Sequence, residues 1–289
     1  MRVIITGADG QLGHALRDRL PIGVEARFCN RSELDITNKN AAIHMVTSFN
    51  PNWIINAAAY THVDNAEETP EQAHSINALG AQNLAIAALQ ASSRMMQISS
   101  DYVFDGRSSH PIAPSDPTRP INSYGRSKLE GERMVQNILM DDVLVLRTSW
   151  IYSWYGNNFV KTLLRLAKQK EILRVVADQI SAPTYAGDLA EVIWSFASRE
   201  ITGINHWHDA GVASWYDFAV AIVEEGHALG LLQRQPVVEP ITSADYPQAA
   251  QRPCFSLMDI TESCESLDRF PLHWRTALRG MLREIKTDD

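Results

Sequence analysis

Residues 1–16 read MRVIITGADGQLGHAL, a β-branched apolar run that passes through a glycine-rich turn into a helical pattern. Gly7, Gly10 and Gly13 form G-x-x-G-x-x-G between the predicted strand and the predicted helix. Glycines at these positions allow a tight turn, close approach of the backbone to a diphosphate and close packing of helix on strand. The spacing alone is a weak signal. Its position at the start of a βαβ unit favours dinucleotide binding over a plain tight turn.

Strands and helices alternate through the first half of the chain. The predicted strands are continuous apolar runs, which is typical of a parallel sheet covered on both faces. We therefore predict an α/β fold with a doubly wound, Rossmann-like parallel sheet and a smaller C-terminal α/β substrate lobe. After the first strand, strands are expected at 24–30, 52–59, within 94–104 and at 143–152, with helices at 39–49, 71–90 and 124–138.

The pattern becomes less regular after residue 150. We expect a dinucleotide-binding domain at 1–150 and a mainly substrate-binding lobe at 151–289, with parts of the later chain packing back on the first domain. Ser214 is a predicted N-cap with Asp217 at capping-box distance. In this half we predict helices at 158–169, 186–198, 214–230 and 273–286, a strand at 172–176 and an extended loop region at 233–256.

Charge and composition exclude several classes of protein. The net charge of −8 argues against a nucleic-acid binder, which needs a basic surface to neutralise phosphates. Cys29, Cys254 and Cys264 are few and odd in number, which favours reduced thiols in a cytoplasmic protein. The sequence has neither an apolar signal region at its start nor an apolar run near 18 residues, so we expect no membrane association.

The stretch YGRSK at 124–128 pairs a tyrosine with a lysine one helical turn later. A phenol near an ammonium is easier to ionise and can exchange a proton near neutral pH. The spacing also arises by chance, so it needs context. Ser99 and Ser100 end the fourth strand, and the carboxyl ends of parallel strands meet at the ligand crevice. We therefore predict that Ser100, Tyr124 and Lys128 converge on one crevice.

The residues at the end of the second strand bear on whether the cofactor is NADPH or NADH. A carboxylate there would hold the ribose hydroxyls of NAD, but the sequence reads Asn30-Arg31-Ser32. Arg31 could pair with a 2′-phosphate, which favours NADPH, whereas Asp35 leaves NADH open. An ordinary solvated arginine is an equally good interpretation of Arg31.

Several longer stretches resemble one family. NAAAYTHVDNAE (56–67), SSDYVFDG (99–106), YGRSKLEGE (124–132), RTSWIY (147–152), NNFVKTLLRLAK (157–168) and DQISAPTY (178–185) are similar to the dTDP-4-dehydrorhamnose reductase family of the extended short-chain dehydrogenase/reductase superfamily. The resemblance runs from residue 1 to about residue 259. It implies NADPH-dependent reduction of the C4 ketone of a dTDP-linked 4-keto-6-deoxyhexose, giving dTDP-L-rhamnose or a close relative.

The resemblance also implies roles for individual residues. Tyr124 protonates the C4 oxygen, Lys128 holds the nicotinamide ribose and keeps the tyrosine's pKa low, and Ser100 hydrogen-bonds the keto oxygen in place of the more frequent threonine. Asp101 and Trp150 are implied substrate contacts, and Arg252 an implied ligand of the diphosphate. The implied cofactor contacts, besides Tyr124 and Lys128, are Gly7, Gly10, Gln11, Leu12, Gly13, Asn30, Arg31, Asp35, Ile36, Ala59, Tyr60 and Thr61.

The chain departs from the family pattern in places. Gln251 precedes Arg252 where a second arginine is frequent, and Phe255 stands where an asparagine is common. Ala15 and Gly187 stand where some members carry glutamates that bind magnesium at a dimer interface. We therefore expect no metal site, and either a monomer or a weak homodimer. HWHD at 206–209 is more typical of an edge strand than of a metal site.

Two other functions remain open. A related NDP-sugar reductase, epimerase or dehydratase shares the fold, although a dehydratase usually has an Asp-Glu pair where this chain has Asp101-Tyr102. A non-catalytic regulatory subunit of the same fold would bind a partner enzyme instead of turning over a sugar. The intact set of Ser100, Tyr124 and Lys128 favours the reductase.

Overall fold

The first strand, β1 (Arg2–Thr6), is an interior strand of a six-stranded parallel sheet in the computed structural model, which describes residues 1–285. Its apolar residues Val3, Ile4 and Ile5 are completely buried. The sheet order is β10-β5-β4-β3-β1-β2, so β1 pairs with β2 on one side and with β3 on the other. This reversal of strand order opens a crevice at the carboxyl ends of the strands.

The elements follow the predicted alternation. The strands are β1 and then β2 (Glu25–Cys29), β3 (Trp53–Asn56), β4 (Arg94–Ser100), β5 (Val143–Thr148), β6 (Ile151–Tyr152), β7 (Ile172–Val176), β8 (Ile180–Ser181), β9 (Thr184–Tyr185), β10 (Gly203–His206), β11 (Ala213–Ser214) and β12 (Val237–Ile241). The helices are α1 (Gln11–Asp18), α2 (Lys39–Phe49), α3 (Asn65–Glu68), α4 (Pro70–His74), α5 (Ala81–Gln90), α6 (Ser123–Leu139), α7 (Phe159–Gln169), α8 (Ala186–Ser198), α9 (Trp215–Ala228), α10 (Thr261–Leu267) and α11 (Trp274–Glu284).

Helices cover both faces of the sheet, which confirms the doubly wound α/β fold. One apolar cluster joins β1 and β3 to α1, α8 and α10. A second joins the opposite side of the sheet to α2, α5 and α6. Trp194 of α8 donates its indole N–H to the carbonyl of Leu16 in α1 at 3.1 Å, which fixes these two helices together. Thus β10 is a strand of the main sheet and α8 packs on that sheet, although both come from the later chain.

A third apolar cluster lies in the C-terminal half and joins α7, α9 and α11. Ser214 and Asp217 form the predicted capping box at the start of α9. The predicted closing helix is α11, and residue 286 of that prediction lies outside the described residues. The division into domains at residue 150 stays a prediction.

The helix predicted at 71–90 is interrupted. Residues Ser75–Gly80 form a π-helical turn between α4 and α5. The side chain of Asn77 in this turn accepts from the N–H of Tyr60 at 2.8 Å and donates to its carbonyl at 3.1 Å and to Ser127 Oγ at 2.9 Å. A π turn inserts an extra residue into a helix, and such turns often mark functional sites.

Two other sequence predictions were wrong in part. The strand predicted at 143–152 ends at Thr148, because Trp150 adopts a left-handed φ of +44°, and β6 then pairs with β9. The region predicted as loop at 233–256 contains β12, which pairs in parallel with β7. Pro240 within β12 made the segment look irregular, but proline is tolerated in an edge strand.

The edge strand predicted at HWHD (206–209) is β10, at the end of the main sheet, but it starts earlier and ends at His206. His206 and His208 are both buried, and His208 shares hydrogen bonds with the carbonyls of Asp209 at 2.7 Å and Met258 at 2.8 Å. None of the helices in the described part of the chain combines the length and the apolar character needed to cross a membrane.

Candidate active site

A cavity of about 650 Å³ lies at the carboxyl ends of the central strands. The glycine turn forms one wall, and the residues after β2, β3, β4 and β5 form the rest. The crevice therefore occupies the position where doubly wound sheets bind ligands. Its lining includes most of the predicted residues, namely Gly7, Gly10, Gln11, Leu12, Asn30, Arg31, Asp35, Ile36, Ala59, Thr61, Ser100, Asp101, Tyr124, Lys128 and Trp150.

The glycine turn has no room for side chains. Gly7 has a φ of +73°, and a Cβ there would lie 2.6 Å from the backbone nitrogen of Ala58. A Cβ on Gly13 would lie 2.3 Å from the carbonyl oxygen of Gly7, so Gly13 serves helix–strand packing below the cavity. Helix α1 starts at Gln11 without a side-chain cap. Its first N–H groups therefore remain available to an anion.

The segment after β2 presents one exposed cation. The side chain of Arg31 is 78% exposed, with its Nε 3.7 Å from Asp35 Oδ2. Asp35 accepts hydrogen bonds from the N–H and hydroxyl of Thr37, which lower the pKa of its carboxyl group. Asn30 is occupied in the turn itself, where its Oδ1 accepts from Ser32 and Glu33. Arg31 is thus the side chain of this segment best placed to meet a phosphate.

The segment after β3 contributes only part of its predicted contacts. Ala59 and Thr61 line the cavity, together with Ala57 and Ala58. Tyr60 does not line it, because its backbone is bound on both sides by the Asn77 side chain. Its phenol oxygen instead lies 3.4 Å from Thr69 Oγ1, on the far side of the segment.

The Tyr-x-x-x-Lys pair lies in the first turns of α6. Asn122 caps this helix by accepting from the N–H of Gly125 at 2.7 Å. Gly125 packs directly on the segment after β4, because a Cβ there would lie 2.1 Å from the carbonyl oxygen of Tyr102. This close approach brings Tyr124 to Ser100. Lys128 donates from Nζ to the carbonyl of Ile98 in β4 at 2.6 Å. The three side chains predicted to converge do line one cavity.

Burial, not the neighbouring ammonium, controls the proton on Tyr124. Burial raises the pKa of Tyr124 to about 12, hydrogen bonding with Ser100 opposes this, and the charge of Asp101 adds to it. Lys128 is not among the groups that shift this pKa, so the lowering by Lys128 that the resemblance implies stays a prediction. Burial also lowers the pKa of Lys128 to about 8, against the opposing charge of Glu132 one turn further on. At neutral pH the phenol keeps its proton and the lysine is mostly charged.

Asp101 lines the first cavity, but its side chain is almost completely buried. It is 2% exposed, and burial raises its pKa to about 6, opposed by hydrogen bonds from Ser256 and Ser100. Ser256 Oγ donates to Asp101 Oδ2 at 2.6 Å, and Ser100 Oγ donates to Oδ1 at 3.0 Å. Both oxygens of the predicted substrate contact are therefore already bonded within the protein.

A second cavity of about 760 Å³ lies next to the first. Asp101 lines the first cavity and Tyr102 the second. Trp150 lines the first and stacks on Trp215 of the second, with ring centroids 3.6 Å apart. The stacked tryptophans therefore bring the linings of the two cavities into contact.

Comparison with known proteins gives the family. Residues 1–287 match the family described as RmlD substrate binding domain. The chain is 46% identical over 288 residues to the dTDP-4-dehydrorhamnose reductase of Aggregatibacter actinomycetemcomitans, covering 97% of this chain and 98% of the relative. The chain belongs to the dTDP-4-dehydrorhamnose reductase family.

Solved structures of this family have the same architecture. The enzyme of Clostridium acetobutylicum matches with a TM-score of 0.93 and 37% identity, covering 99% of both chains. The enzyme of Bacillus anthracis in complex with NADP matches with a TM-score of 0.91 and 37% identity, covering 98% of this chain and 99% of that one.

Arg252, which the family resemblance placed on the diphosphate, lies at the second cavity and not the first. Its guanidinium forms two bonds to the carboxylate of Asp64, at 2.8 and 2.6 Å, and a third to the carbonyl of Ala250 at 2.7 Å. This pairing links the C-terminal segment to the segment after β3. A phosphate would therefore have to share this guanidinium with Asp64.

Sequence reasoning missed part of the lining. Thr148 ends β5 and Ser149 follows it, so the rule that ligands meet the carboxyl ends of strands could have found them. Gly156 and Asn157 had no such signal. Their loop is held by Gln11, whose Oε1 accepts from Ser153 at 3.1 Å and from Asn158 at 2.9 Å. The other missed residues are Asp9, Leu34, Ala57, Ala58, Ile76, Ile98 and Ile151.

Proposed function

We propose that the protein reduces the C4 ketone of a dTDP-linked 4-keto-6-deoxyhexose with NADPH and forms dTDP-L-rhamnose or a close relative. One observation carries the proposal: Ser100, Tyr124 and Lys128 line a single cavity that also opens on the glycine turn. The reductases of the same family, including one in complex with NADP, support the assignment of substrate and cofactor.

The residues of the first cavity fit a dinucleotide. Gly7, Gly10 and the first N–H groups of α1 would hold the diphosphate, since unpaired N–H groups at a helix start bind anions. Arg31 would pair with the 2′-phosphate of NADPH, beside Asp35. Bound NADPH supplies a hydride to C4 of the sugar.

Tyr124 then acts as the proton donor to the oxygen on C4. Its raised pKa keeps the phenol protonated at neutral pH, and a developing alkoxide is more basic than the phenol. Lys128, held by the carbonyl of Ile98, places a positive charge beside the phenolate that remains. Ser100 borders the same space and completes the set around the ketone.

The second cavity suits the nucleotide part of the substrate. The stacked pair of Trp150 and Trp215 offers an apolar wall. Lys170, Arg174 and Arg252 bring positive charge to the lining, which complements a nucleoside diphosphate. We place the sugar beside Trp150, between the nucleotide and Tyr124.

The test mixes purified protein with NADPH and dTDP-4-keto-6-deoxy-L-mannose and follows the absorbance of the reduced cofactor. We expect oxidation of NADPH that requires the sugar, and a loss of about 10²-fold or more in kcat for Tyr124→Phe with NADPH binding retained. Oxidation no faster than the blank would instead support the non-catalytic subunit. Full turnover by Tyr124→Phe would remove Tyr124 as proton donor.

The finer assignments are also proposals. The thiols of Cys29, Cys254 and Cys264 are all free, which supports a reducing, cytoplasmic setting. We propose a monomer or weak homodimer with a nucleotide sugar as its partner molecule. Light scattering across a concentration series would show a mass near one chain at low concentration, and a concentration-independent dimer would contradict this.

A further inference from the structure

Asp101 is a buried carboxyl group that the proposed chemistry does not use. It follows Ser100 directly and lines the first cavity, yet its side chain is almost completely buried and bonded to Ser100 and Ser256. Ser256 belongs to the C-terminal segment, and its own backbone N–H donates to the carbonyl of Ile180 at 2.9 Å. The contact thus joins the end of β4 to a part of the chain 155 positions away.

Asp101 and Tyr124 compete for the one hydrogen of the Ser100 hydroxyl, and in this structure that hydrogen is donated to Asp101. A serine hydroxyl carries one hydrogen and two lone pairs. Ser100 Oγ accepts from the N–H of Tyr102 at 3.1 Å and donates to Asp101 at 3.0 Å. A ketone oxygen is an acceptor only, so it cannot pair with Ser100 while Ser100 donates its hydrogen to an ionised Asp101. A protonated Asp101 would donate to Ser100 and free the serine hydrogen for the ketone.

We propose that Asp101 is a positioning residue that sets the direction of the Ser100 hydroxyl hydrogen, that Ser256 holds Asp101 for this task, and that ketone binding takes up one proton at Asp101. The proposal rests on the proposed function, since it needs the ketone substrate. The proton comes from the solvent and returns to it when the ligand leaves, so the overall reaction is unchanged.

The protonation of Asp101 at pH 7 costs little free energy. Burial raises the pKa of Asp101 to about 6, so the ionised form is favoured only about tenfold at pH 7. The titratable and charged groups that face Asp101 are Tyr102 on its own segment, Tyr124 from α6 and, beyond Tyr102, Arg252 from the C-terminal segment. Hydrogen bonds from Ser256 and Ser100 favour the ionised form.

The experiment is a calorimetric titration of dTDP-4-keto-6-deoxy-L-mannose into enzyme saturated with NADP⁺, which has no hydride to transfer. Repeating it at pH 7 in buffers of different ionisation enthalpy counts the protons exchanged. We expect uptake of close to one proton per site in the wild type and none in Asp101→Asn, because an amide takes up no proton. Ligand binding without proton uptake in the wild type would overturn the proposal, and this result does not depend on whether Asp101→Asn folds. Equal uptake in Asp101→Asn would overturn it as well.

Ser256→Ala provides a second, graded test. Without its hydrogen bond the Asp101 carboxylate is less stable, so Asp101 is already partly protonated before binding and proton uptake at pH 7 should fall. Ser263→Ala is the matched control, because it removes another buried hydroxyl of the C-terminal segment, one that donates to the carbonyl of His206 at 2.7 Å. Uptake unchanged in Ser256→Ala would exclude its role.

The outcomes separate the two proposals. Turnover of the sugar without proton uptake contradicts only the role of Asp101. Absence of both turnover and sugar binding contradicts the proposed function and, with it, this inference.

Discussion

At Tyr124, burial outweighs the charges around it. The four-residue spacing to Lys128 predicted a shared helix face, and that prediction holds, since both side chains line the first cavity. The direction of the tyrosine pKa could not be predicted. It depends on how completely α6 is covered by the end of β4, and this follows from close packing at Gly125. A phenol that keeps its proton suits the donor in a ketone reduction.

Lys128 should limit activity at alkaline pH. Its lowered pKa of about 8 means that the ammonium form prevails below pH 8 and is lost as the pH rises through that value. We expect kcat/KM, which reports groups of the free enzyme, to fall above about pH 8. In Lys128→Arg the guanidinium stays charged, so the remaining activity should show no such fall up to pH 10. The same midpoint in both proteins would assign the fall to another group.

Arg31 should decide between the two nicotinamide cofactors. Replacing it with alanine removes a charge-assisted bond to the 2′-phosphate, for which we expect a loss of about 1.5–3 kcal/mol, or roughly 10- to 150-fold in the KM for NADPH. The KM for NADH should stay within about twofold. Initial rates with both cofactors measure this. Arg27→Ala, an exposed arginine of β2, is the control. Equal effects on the KM values for NADPH and NADH would show that Arg31 does not bind the 2′-phosphate.

The strands that consist of continuous apolar runs could be predicted from the sequence. The turn whose conformation depends on contacts with distant residues could not. The strands at the centre of the sheet were found because Ile54, Ile55 and their neighbours are apolar on both sides. The π turn at Ser75–Gly80 depends on Asn77 meeting Tyr60 and Ser127, which lie 17 and 50 positions away. The residues next to Asn77 in the sequence do not predict these hydrogen-bond partners. The same turn explains why Tyr60 does not face the cavity.

The glycine turn gives a prediction for α1. In Gly13→Ala the added methyl group would collide with the carbonyl oxygens of Gly7 and Ala8, at 2.3 and 2.6 Å. We expect a loss of about 1–3 kcal/mol of unfolding free energy and much weaker NADPH binding, because α1 must shift away from the turn. Urea unfolding and cofactor titration measure the two effects.

Gly280→Ala is the matched control for that change. Gly280 lies in α11, and an added Cβ meets nothing within 4 Å. Alanine there should stabilise the fold by about 0.5–1 kcal/mol, since glycine is the poorer helix former. If Gly13→Ala were as stable as Gly280→Ala, close packing at the turn would not be what requires glycine.

In the whole molecule, the C-terminal segment returns to the ends of the central strands. Arg252 meets Asp64 across 188 positions of sequence, and Ser256 meets Asp101 across 155. The family resemblance indicated Arg252 and Asp101 as site residues. The sequence could not show that their polar atoms are already hydrogen-bonded within the protein. Such partners depend on the completed fold. The site is therefore assembled by the entire chain, not by residues 1–150 alone.

A buried ion pair joins α6 to the sheet. Arg147 of β5 contacts Glu132 of α6 at 2.8 Å, and both side chains are at most 3% exposed. Removing one partner leaves a buried charge, so we expect Arg147→Met to lose about 3–5 kcal/mol of unfolding free energy. Arg174→Met breaks an exposed pair with Glu239 and should lose less than about 1 kcal/mol. Denaturant unfolding compares the two, and similar losses would mean that burial adds nothing to the pair.

The most direct test of the proposed reaction follows the hydride. The enzyme is given NADPH carrying deuterium on the reactive face of the nicotinamide, with dTDP-4-keto-6-deoxy-L-mannose, and the product is read by NMR, using both deuterated epimers to cover either face. We predict that one epimer places deuterium on C4 of the sugar and that Tyr124→Phe slows its appearance. NADPH oxidation that leaves no deuterium on C4 with either epimer would contradict reduction at that carbon.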